Sequence, residues 1–253
     1  MGKFTIRIAE TVVAVTSLFR SSENYCQDYC CDEQEHISIT ITPGDIAFER
    51  DKSIREAELE GIAYMARSDA ALEIIAIQRK ITEALFACNT LLFHGSVVAV
   101  DNQAYLFTAK SGTGKSTHTR LWREVLGDRA VMVNDDKPFL RMDENGVTAF
   151  CSPWMGKHHL GANISVPLKA ICILERGEEN RILRITAQEA LPMLFQQSQR
   201  PGKSKNQLKY LELIDKLAGD VSFYHMACNM DPQAAEISYC AMSGERKEEH
   251  NEN

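Results

Sequence analysis

One stretch, "LFTAKSGTGKSTHTR" from Leu106 to Arg120, constrains the fold of this chain more than any other part of the sequence. It nearly matches the phosphate-binding loop pattern G-x-x-x-x-G-K-[ST], except that Ala109 stands where the pattern has its first glycine. The apolar run before the loop predicts a strand, and "KSTHTRLWREVL" after it predicts a helix. Another strand, "AVMVNDD", follows. A strand, a glycine loop, a helix and a strand form the unit in which such a loop binds phosphate.

The glycines of this loop predict how it would bind an anion. Gly112 and Gly114 can reach positive φ, so the backbone N–H groups from Gly112 to Lys115 can surround a phosphate at the positive end of the helix. Ala109 is tolerable if its φ is negative, because the first position lies at the strand exit. The expected nucleotide-binding residues are Ala109, Lys110, Ser111, Gly112, Thr113, Gly114, Lys115, Ser116 and Thr117.

Two adjacent carboxylates, Asp135 and Asp136, end the strand that follows the helix. A strand end next to such a loop is where a magnesium-holding carboxylate occurs, and a second carboxylate can accept a proton from a hydroxyl. The alternative is a solvated strand end. His94 lies in "LLFHGSVVAV", which predicts a strand one hairpin before the loop, and it is either a catalytic group or an ordinary turn or core residue.

Composition excludes several classes of protein. The net charge of -7 argues against a protein that binds duplex nucleic acid, because such proteins neutralise phosphates with surplus Lys and Arg. The first residues lack the pattern of a signal peptide, and no run of 18 apolar residues occurs. We therefore expect a cytoplasmic protein without a membrane partner. The sequence leaves open whether the protein forms a homo-oligomer.

The eight cysteines are expected to be reduced thiols in such a compartment. Cys26, Cys30 and Cys31, with His36 close by, have the residue types of a metal site. They lack the paired C-x-x-C spacing of zinc sites, which favours structural or exposed thiols over metal ligands.

The remaining pattern predicts a mixed α/β fold with two parts and a tail. Residues 3 to 20 and 36 to 50 are rich in β-branched residues, so residues 1–65 are expected to form a strand-rich N-terminal lobe. Helices and strands mix over residues 66–243, which we expect to form the nucleotide-binding core. Residues 244–253, "GERKEEHNEN", have no apolar anchor and are expected to be disordered.

The polar loop "SPWMGKHHLG" follows a predicted hairpin at a place where it could cover a substrate. Trp154, Lys157 and His158 are its candidate substrate-contacting residues, and His159 stands beside them. The alternative is an ordinary surface loop with the tryptophan packed inside.

The stretch from Leu91 to about Asp136, "FHGSVVAV…AYLFTAKSGTGKST…AVMVNDD", resembles the catalytic domain of HPr kinase/phosphorylase, a bacterial protein-serine kinase. That family has a P-loop kinase core related to ATP-dependent phosphoenolpyruvate carboxykinase. The resemblance implies that Asp135 lies near the metal and that Asp136 accepts the proton. It also places His94 at the active site.

The same resemblance implies that Lys115 contacts the phosphates and that Ser116 and Asp135 hold the metal. The family also uses an active-site arginine, for which Arg176 and Arg200 are candidates by their place in the chain, Arg200 also as part of the substrate lid. The N-terminal lobe does not resemble that of HPr kinase, and the segment that recognises HPr is not evident.

These features predict an ATP- and Mg²⁺-dependent kinase that phosphorylates a hydroxyl, either a serine of a protein or peptide or a small molecule. A carboxykinase-like phosphoryl-transfer enzyme and a module that senses ATP without turnover are the alternatives. Asp136 favours an enzyme over a sensor, and no motif names the acceptor.

Overall fold

A computed structural model describes residues 2–202 and 206–244 and divides the chain into two compact units, Met1–Cys88 and Asn89–Asn253. Both units contain helices and strands, which confirms the mixed α/β class. The tail that was predicted to be disordered lies, apart from Gly244, outside the described residues. No helix in the described part of the chain has the length and apolar character needed to cross a membrane.

The first unit is built on a three-stranded sheet in the order β1-β2-β3. Its strands are β1 Gly2–Ile8, β2 Thr11–Ser17 and β3 Ile37–Thr40, and its helices are α1 Ser21–Tyr25, α2 Pro43–Glu60 and α3 Asp69–Leu85. β1 and β2 are antiparallel, whereas β3 lies parallel to β2. Glu73 of α3 is fully buried, and its carboxylate accepts hydrogen bonds from the backbone N–H groups of Leu18 and Phe19. This contact attaches α3 to the end of β2.

Helix α2 corrects the prediction of a strand-rich lobe, because the chain becomes helical soon after β3. The Thr42 hydroxyl accepts a hydrogen bond from the backbone N–H of Asp45, and the Asp45 carboxylate accepts one from the N–H of Thr42. Pro43 stands in the first turn, where its missing N–H costs nothing. These interactions start an 18-residue helix where the sequence pattern favoured a strand to residue 50.

The compact units divide after Cys88, whereas the boundary predicted from the sequence, between residues 65 and 66, falls between α2 and α3. α3 packs against α2 and also against strands β2 and β3. This packing explains why α3 belongs to the first compact unit.

A group of charged side chains joins α2 to α3. Arg79 contacts both Glu49, which is buried, and Asp45, with 3.2 Å between the Arg79 Nη2 and Asp45 Oδ1 atoms. Lys80 Nζ lies 2.8 Å from Asp45 Oδ2. Burial acts to raise the pKa of Asp45, but hydrogen bonds from Lys80, Thr42 and Arg79 outweigh it, so the pKa lies well below its usual value. The ionised carboxylate therefore stabilises the folded unit.

Replacing Asp45 by Asn is expected to lower the free energy of unfolding at neutral pH by about 1–3 kcal/mol, because Arg79 and Lys80 lose an ionised partner. Because the pKa of Asp45 is lower in the folded state, its carboxylate stabilises the fold at pH values above its unfolded pKa, which is near 4. This stabilisation is lost as the pH falls from there towards the pKa of the folded state. Urea unfolding from neutral pH to about pH 3 should show the difference from wild type shrinking. Asp51→Asn, exposed on the same helix, is the control. A difference that stays constant over this range would contradict the assignment.

The cysteine cluster of the first unit contains thiols of different exposure. Cys26 is buried and Cys30 is exposed, and none of the eight cysteines forms a disulfide. Burial, with a smaller contribution from Cys30, raises the pKa of the Cys26 thiol to about 12, so this thiol is neutral at physiological pH. The Nδ1 atom of His36 accepts a hydrogen bond from the backbone N–H of Val12 at 3.0 Å.

The second unit contains a nine-stranded sheet. Its strands are β4 Thr90–Leu92, β5 Ser96–Val100, β6 Gln103–Thr108, β7 Ala130–Asn134, β8 Phe139–Asp143, β9 Gly146–Phe150, β10 Ser165–Arg176, β11 Arg181–Ile185 and β12 Ser222–Cys228. Its helices are α4 Lys115–Leu126, α5 Ala187–Gln197, α6 Gln207–Asp220 and α7 Gln233–Ser243. The strand order is β4-β8-β9-β10-β6-β5-β7, with β12 pairing β10 and β11 pairing β12.

Strand direction brings several loops to one edge of this sheet. β10 is parallel to both β6 and β12, and β7 runs in the same direction as β6 because each is antiparallel to β5. The carboxyl ends of these four strands therefore lie at one edge, together with the start of β5. This edge carries the glycine loop after β6 and the aspartate pair after β7.

Helix α4 is held against the sheet by an aromatic cluster. The Trp122 ring is fully buried and lies 5.0 Å from Phe107 and 5.4 Å from Tyr239, measured between ring centroids. Its indole Nε1 donates a hydrogen bond to the Ser238 hydroxyl of α7 at 2.8 Å. Since these contacts fix α4, they also fix the position of the loop that enters it.

Candidate functional site

The glycine loop connects β6 directly to the first turn of α4, as the sequence predicts. Gly112 and Gly114 have φ values of +76° and +123°, which L side chains rarely adopt. The carbonyl of Lys110 accepts hydrogen bonds from the N–H and the hydroxyl of Thr113, which close a turn inside the loop. Gly114 is the N-cap of α4, and no side chain caps the helix there. The free N–H groups of this first turn are therefore available to an anion.

Ala109 occupies the first loop position without strain. It is fully buried in the core between the sheet and α4, and it is not among the described residues that have positive φ. A glycine is not required by the backbone at this point. The departure from the P-loop pattern is therefore compatible with the loop geometry.

His94 and Asp136 form a pair at the same sheet edge. The predicted strand from Leu91 to Val100 is interrupted, so that His94 lies between β4 and β5 rather than within a strand. Its Nε2 atom lies 3.3 Å from Asp136 Oδ1. Burial acts to raise the pKa of Asp136, but the hydrogen bond from His94 and the charges of Lys137 and Lys115 outweigh it, so the pKa is lowered. Asp136 is therefore an ionised, partly buried carboxylate.

Lys115 lies within electrostatic reach of the aspartate pair. Burial is the main cause that lowers the pKa of Lys115, and the negative charges of Asp136 and Asp135 oppose this shift. Its ammonium group is therefore partly withdrawn from water, and both carboxylates are near enough to act on it electrostatically. Ser116, the next residue, is exposed in the first turn of α4, and Thr117 is half buried.

Asp135 is more enclosed than its neighbour. Its side chain is 7% exposed, and its Oδ1 accepts a hydrogen bond from the Ser96 hydroxyl at 2.5 Å. Its backbone N–H donates to the carbonyl of Leu160 at 3.1 Å. The two aspartates therefore have different surroundings, which is a physical basis for two different roles.

Asn134 arranges the chain around both aspartates. Its side-chain oxygen accepts hydrogen bonds from the N–H groups of Asp136 and Lys137 at 2.9 and 2.8 Å. Its amide nitrogen donates to the backbone carbonyl and the hydroxyl of Ser152, both at 3.2 Å. The fully buried Asn134 thus joins the aspartate turn to the following loop.

That loop, predicted to cover a substrate, contacts Asp136 through a glycine. Gly156 has φ +70°, and a Cβ atom placed there would lie 3.2 Å from the Cβ of Asp136. Trp154 is buried and packs edge-on against Phe139, with 6.3 Å between the ring centroids. Lys157 and His158 are exposed, as is His159. The loop therefore approaches Asp136 through the half-buried Gly156, whereas a role of its exposed residues as a substrate lid stays a prediction.

The two candidate arginines lie in different places. Arg176, at the end of β10, donates a hydrogen bond from Nη2 to the carbonyl of Gly112 at 2.6 Å, so it contacts the glycine loop. Arg200 is exposed, and its Nε lies 3.4 Å from the carbonyl of Phe195 near the end of α5. Of the two, Arg176 is the one placed at the loop.

The residues at this edge suit Mg²⁺ by donor type. Within residues 2–202 and 206–244, no group of three or more His, Cys, Asp or Glu side chains could hold a metal ion. Mg²⁺ is usually held by one or two carboxylates together with substrate phosphates, not by a complete protein cage. The Ser116 hydroxyl and the Asp135 carboxylate are oxygen donors of this kind.

Comparison with known families shows to which family this chain belongs. The family described as SynChlorMet cassette protein ScmC matches residues 62–237, more than half of the sequence. The chain belongs to the ScmC family. Among curated proteins, none matches.

Similarity to solved structures is weak, as one of the matching structures illustrates. The HPr(Ser) kinase/phosphatase from Coxiella burnetii aligns with 60% of this chain and 95% of its own, at 11% sequence identity and a TM-score of 0.34. This similarity is too low to establish a shared P-loop kinase core, which stays a prediction. The ScmC match spans the glycine loop, His94 and both aspartates.

Sequence reasoning missed three residues of this site: Ser96, Asn134 and Gly156. Asn134 was visible only as a polar residue at a strand end, and nothing in the linear pattern paired it with Ser152. Ser96 follows His94 and Gly95 in the sequence, but its contact with Asp135 depends on how β5 pairs with β7.

Proposed function

We propose that this ScmC protein is a kinase that binds ATP with Mg²⁺ at the glycine loop and transfers the γ-phosphate to a hydroxyl. The observation that carries the proposal is the meeting of three groups at one sheet edge. Lys115, a half-buried lysine of the loop, interacts electrostatically with Asp136, and Asp136 is paired with His94. A cation beside an anion-binding loop and an ionised carboxylate are the parts that phosphoryl transfer to a hydroxyl requires.

In this proposal the glycine loop binds the phosphate donor, ATP, and Asp136 acts on the acceptor hydroxyl. The backbone N–H groups and Lys115 bind the β- and γ-phosphates. The acceptor oxygen forms a bond to the γ-phosphorus while the bond from phosphorus to the β,γ-bridging oxygen breaks, and ADP leaves with that oxygen. The hydroxyl proton passes to the Asp136 carboxylate. His94, through its Nε2 contact, orients that carboxylate.

Mg²⁺ would be held by Ser116 and Asp135, and when bound it neutralises charge on the phosphates. Ser96 would orient Asp135 for this by donating a hydrogen bond to its Oδ1 atom. The different surroundings of the two aspartates support this division of roles.

Two alternatives involve the same loop. A module that senses ATP would need the loop but not an ionised carboxylate paired with a histidine, so the His94–Asp136 contact favours the enzyme. A carboxykinase-like reaction would use the same phosphate contacts with an acidic phosphoryl carrier.

Incubation with γ-labelled ATP, Mg²⁺ and a set of acceptors tests the proposal and separates these alternatives. The set contains free serine, HPr, any peptide encoded beside the protein and an acidic phosphoryl carrier. We expect label on one hydroxyl acceptor. ATP binding with no transfer to any acceptor would favour the sensor, and label on the carrier alone would favour the carboxykinase-like reaction.

Replacing Gly156 by Ala should lower turnover by about tenfold or more, because the new Cβ displaces Asp136 and small misplacements of a catalytic group are costly. Gly244→Ala is the matched control, since Gly244 has φ +77° and no atom within 4 Å of the position of a new Cβ. Both changes should cost about 1 kcal/mol or somewhat more in stability from the backbone alone. Equal turnover in the two variants would contradict the role of Gly156 in positioning Asp136.

A further inference from the structure

A cavity of about 490 Å³ lies between the second sheet and helix α5. Ile173 of β10 lines it, whereas the flanking residues Cys172 and Leu174 belong to the core beneath α4. Because successive residues of a strand point to opposite faces, the cavity and α4 lie on opposite faces of the sheet. Helix α5 contributes Met193 and Gln196 to the other wall.

The floor of this cavity is a row of residues from neighbouring strands. Ile173 pairs in register with His225 of β12, and His225 pairs with Leu183 of β11. All three line the cavity. On its other side Ile173 pairs with Thr108, the last residue of β6. Since neighbouring strands lie about 4.8 Å apart, the row from Thr108 to Leu183 spans about 14 Å.

The Thr108 end of the row lies beside the proposed general base. The Thr108 hydroxyl donates a hydrogen bond to the carbonyl of His94 at 3.0 Å. From the helix side, the carbonyl of Gln197 accepts a hydrogen bond from the N–H of His94 at 2.7 Å, and the preceding residue, Gln196, lines the cavity. The Nε2 atom of His94 contacts Asp136. The cavity therefore leads away from this carboxylate along the sheet.

The two ends of the cavity differ in chemical character. At the far end Leu183 is 50% exposed, and Ile185 and Met193 extend its apolar surface. At the near end lies the exposed Lys110 of the glycine loop, whose ammonium has no ion-pair partner within residues 2–202 and 206–244. Exposed apolar surface marks binding sites, and an unpaired charge favours a ligand of the opposite sign. The cavity therefore fits a ligand that has an apolar group and an acidic group.

We propose that this cavity binds the phosphate acceptor as an extended peptide segment. The proposal rests on the proposed function, since it requires transfer to a hydroxyl at Asp136. A large apolar side chain of the peptide lies against Leu183 and Met193. An acidic side chain closer to the phosphorylated serine contacts Lys110.

The length of the row favours a peptide and sets the spacing of its residues. An extended chain rises about 3.3 Å per residue, so the apolar side chain lies about three to five residues from the phosphorylated serine. A free amino acid is too short to reach from Asp136 to Leu183.

Transfer from γ-labelled ATP to a library of synthetic peptides tests the inference. Each peptide has one central serine, and each other position in turn is fixed as Leu, Asp or Ala. On one side of the serine, Leu at the third to fifth position should increase labelling by the wild type about 5- to 20-fold over Ala. Asp closer to the serine should also increase labelling over Ala.

Leu183→Ala should raise the KM for the preferred peptide by about fivefold or more, because it removes apolar contact with the peptide. The kcat and the affinity for ATP should stay nearly unchanged, since Leu183 lies at the end of the row far from His94. Leu211→Ala is the matched control, because Leu211 is 49% exposed and lies on α6, outside the lining of the cavity.

The outcomes separate this inference from the proposed function. If HPr or a small hydroxyl compound is labelled but no peptide is, the inference fails while the kinase proposal stands. The same holds if labelled peptides lack either preference, or if Leu183→Ala behaves as Leu211→Ala does. A change from dimer to monomer in Leu183→Ala, measured by sedimentation with peptide preference unchanged, would make the cavity a contact between copies and contradict the inference. If no acceptor of any kind is labelled, the proposed function fails together with the inference.

Discussion

Asp136→Asn is expected to lower kcat by about 10² to 10⁴ while leaving the affinity for ATP with Mg²⁺ nearly unchanged. Asparagine keeps the shape of the side chain and can still contact His94, but it cannot accept the acceptor's proton. The lowered pKa of Asp136 means that the wild-type carboxylate is ionised at neutral pH and ready for this step. Initial rates and calorimetric titrations of the same preparations measure the two quantities.

Asp135→Asn provides the contrast for this prediction. Asp135 is assigned to the metal, so its replacement should raise the Mg²⁺ concentration needed for half-maximal rate. Asp128→Asn, an exposed aspartate of the same unit, should behave as wild type. A pure Mg²⁺ defect in Asp136→Asn would mean that the two roles are exchanged. Wild-type rates in both site variants would indicate that the pair is an ordinary strand end.

Lys115→Ala should reduce transfer by about 10³-fold or more and weaken ATP binding, because it removes the positive charge from the β- and γ-phosphates. Burial strengthens this interaction, since a partly desolvated ammonium is less screened by water than an exposed one. Calorimetry with ATP and Mg²⁺ measures the loss of affinity, and the labelled-ATP assay measures the loss of transfer.

Arg120→Ala is the control for Lys115→Ala, because Arg120 lies on the same helix but points its charge to Glu124, 2.7 Å away. Its removal should change neither ATP affinity nor transfer. Unchanged affinity and turnover in Lys115→Ala itself would remove the glycine loop from the mechanism.

The glycine loop and its flanking elements could be predicted because their signals are local. Gly112 and Gly114 require positive φ, and the helical spacing in "KSTHTRLWREVL" favours the burial of Trp122. The cap of α5 has a local signal of the same kind, since Thr186 and Glu189 stand at capping-box spacing and form both hydrogen bonds. Patterns of this kind can be recognised without knowing how distant parts of the chain fold.

The parts that could not be predicted depend on competition between local signals for strand and helix, or on contacts between residues that are far apart in the sequence. The strand pattern of "HISITIT" extends into Thr42, whose capping of α2 ends it. The break at His94 arises because Phe93 and His94 bond to Pro138 and Gln197, which lie far along the chain. The support of the aspartates by Asn134 and Gly156 likewise exists only after the sheet has formed.

The account is tested most directly by a single-turnover measurement of phosphoryl transfer from bound γ-labelled ATP to its acceptor, in wild type and Asp136→Asn. The rates are compared at equal occupancy of the ATP site, so that differences in ATP affinity do not affect the comparison. We predict transfer by the wild type and a rate lower by about 10² to 10⁴ in the variant. Equal rates in the two proteins, or a wild type that binds ATP and transfers nothing to any acceptor, would contradict it.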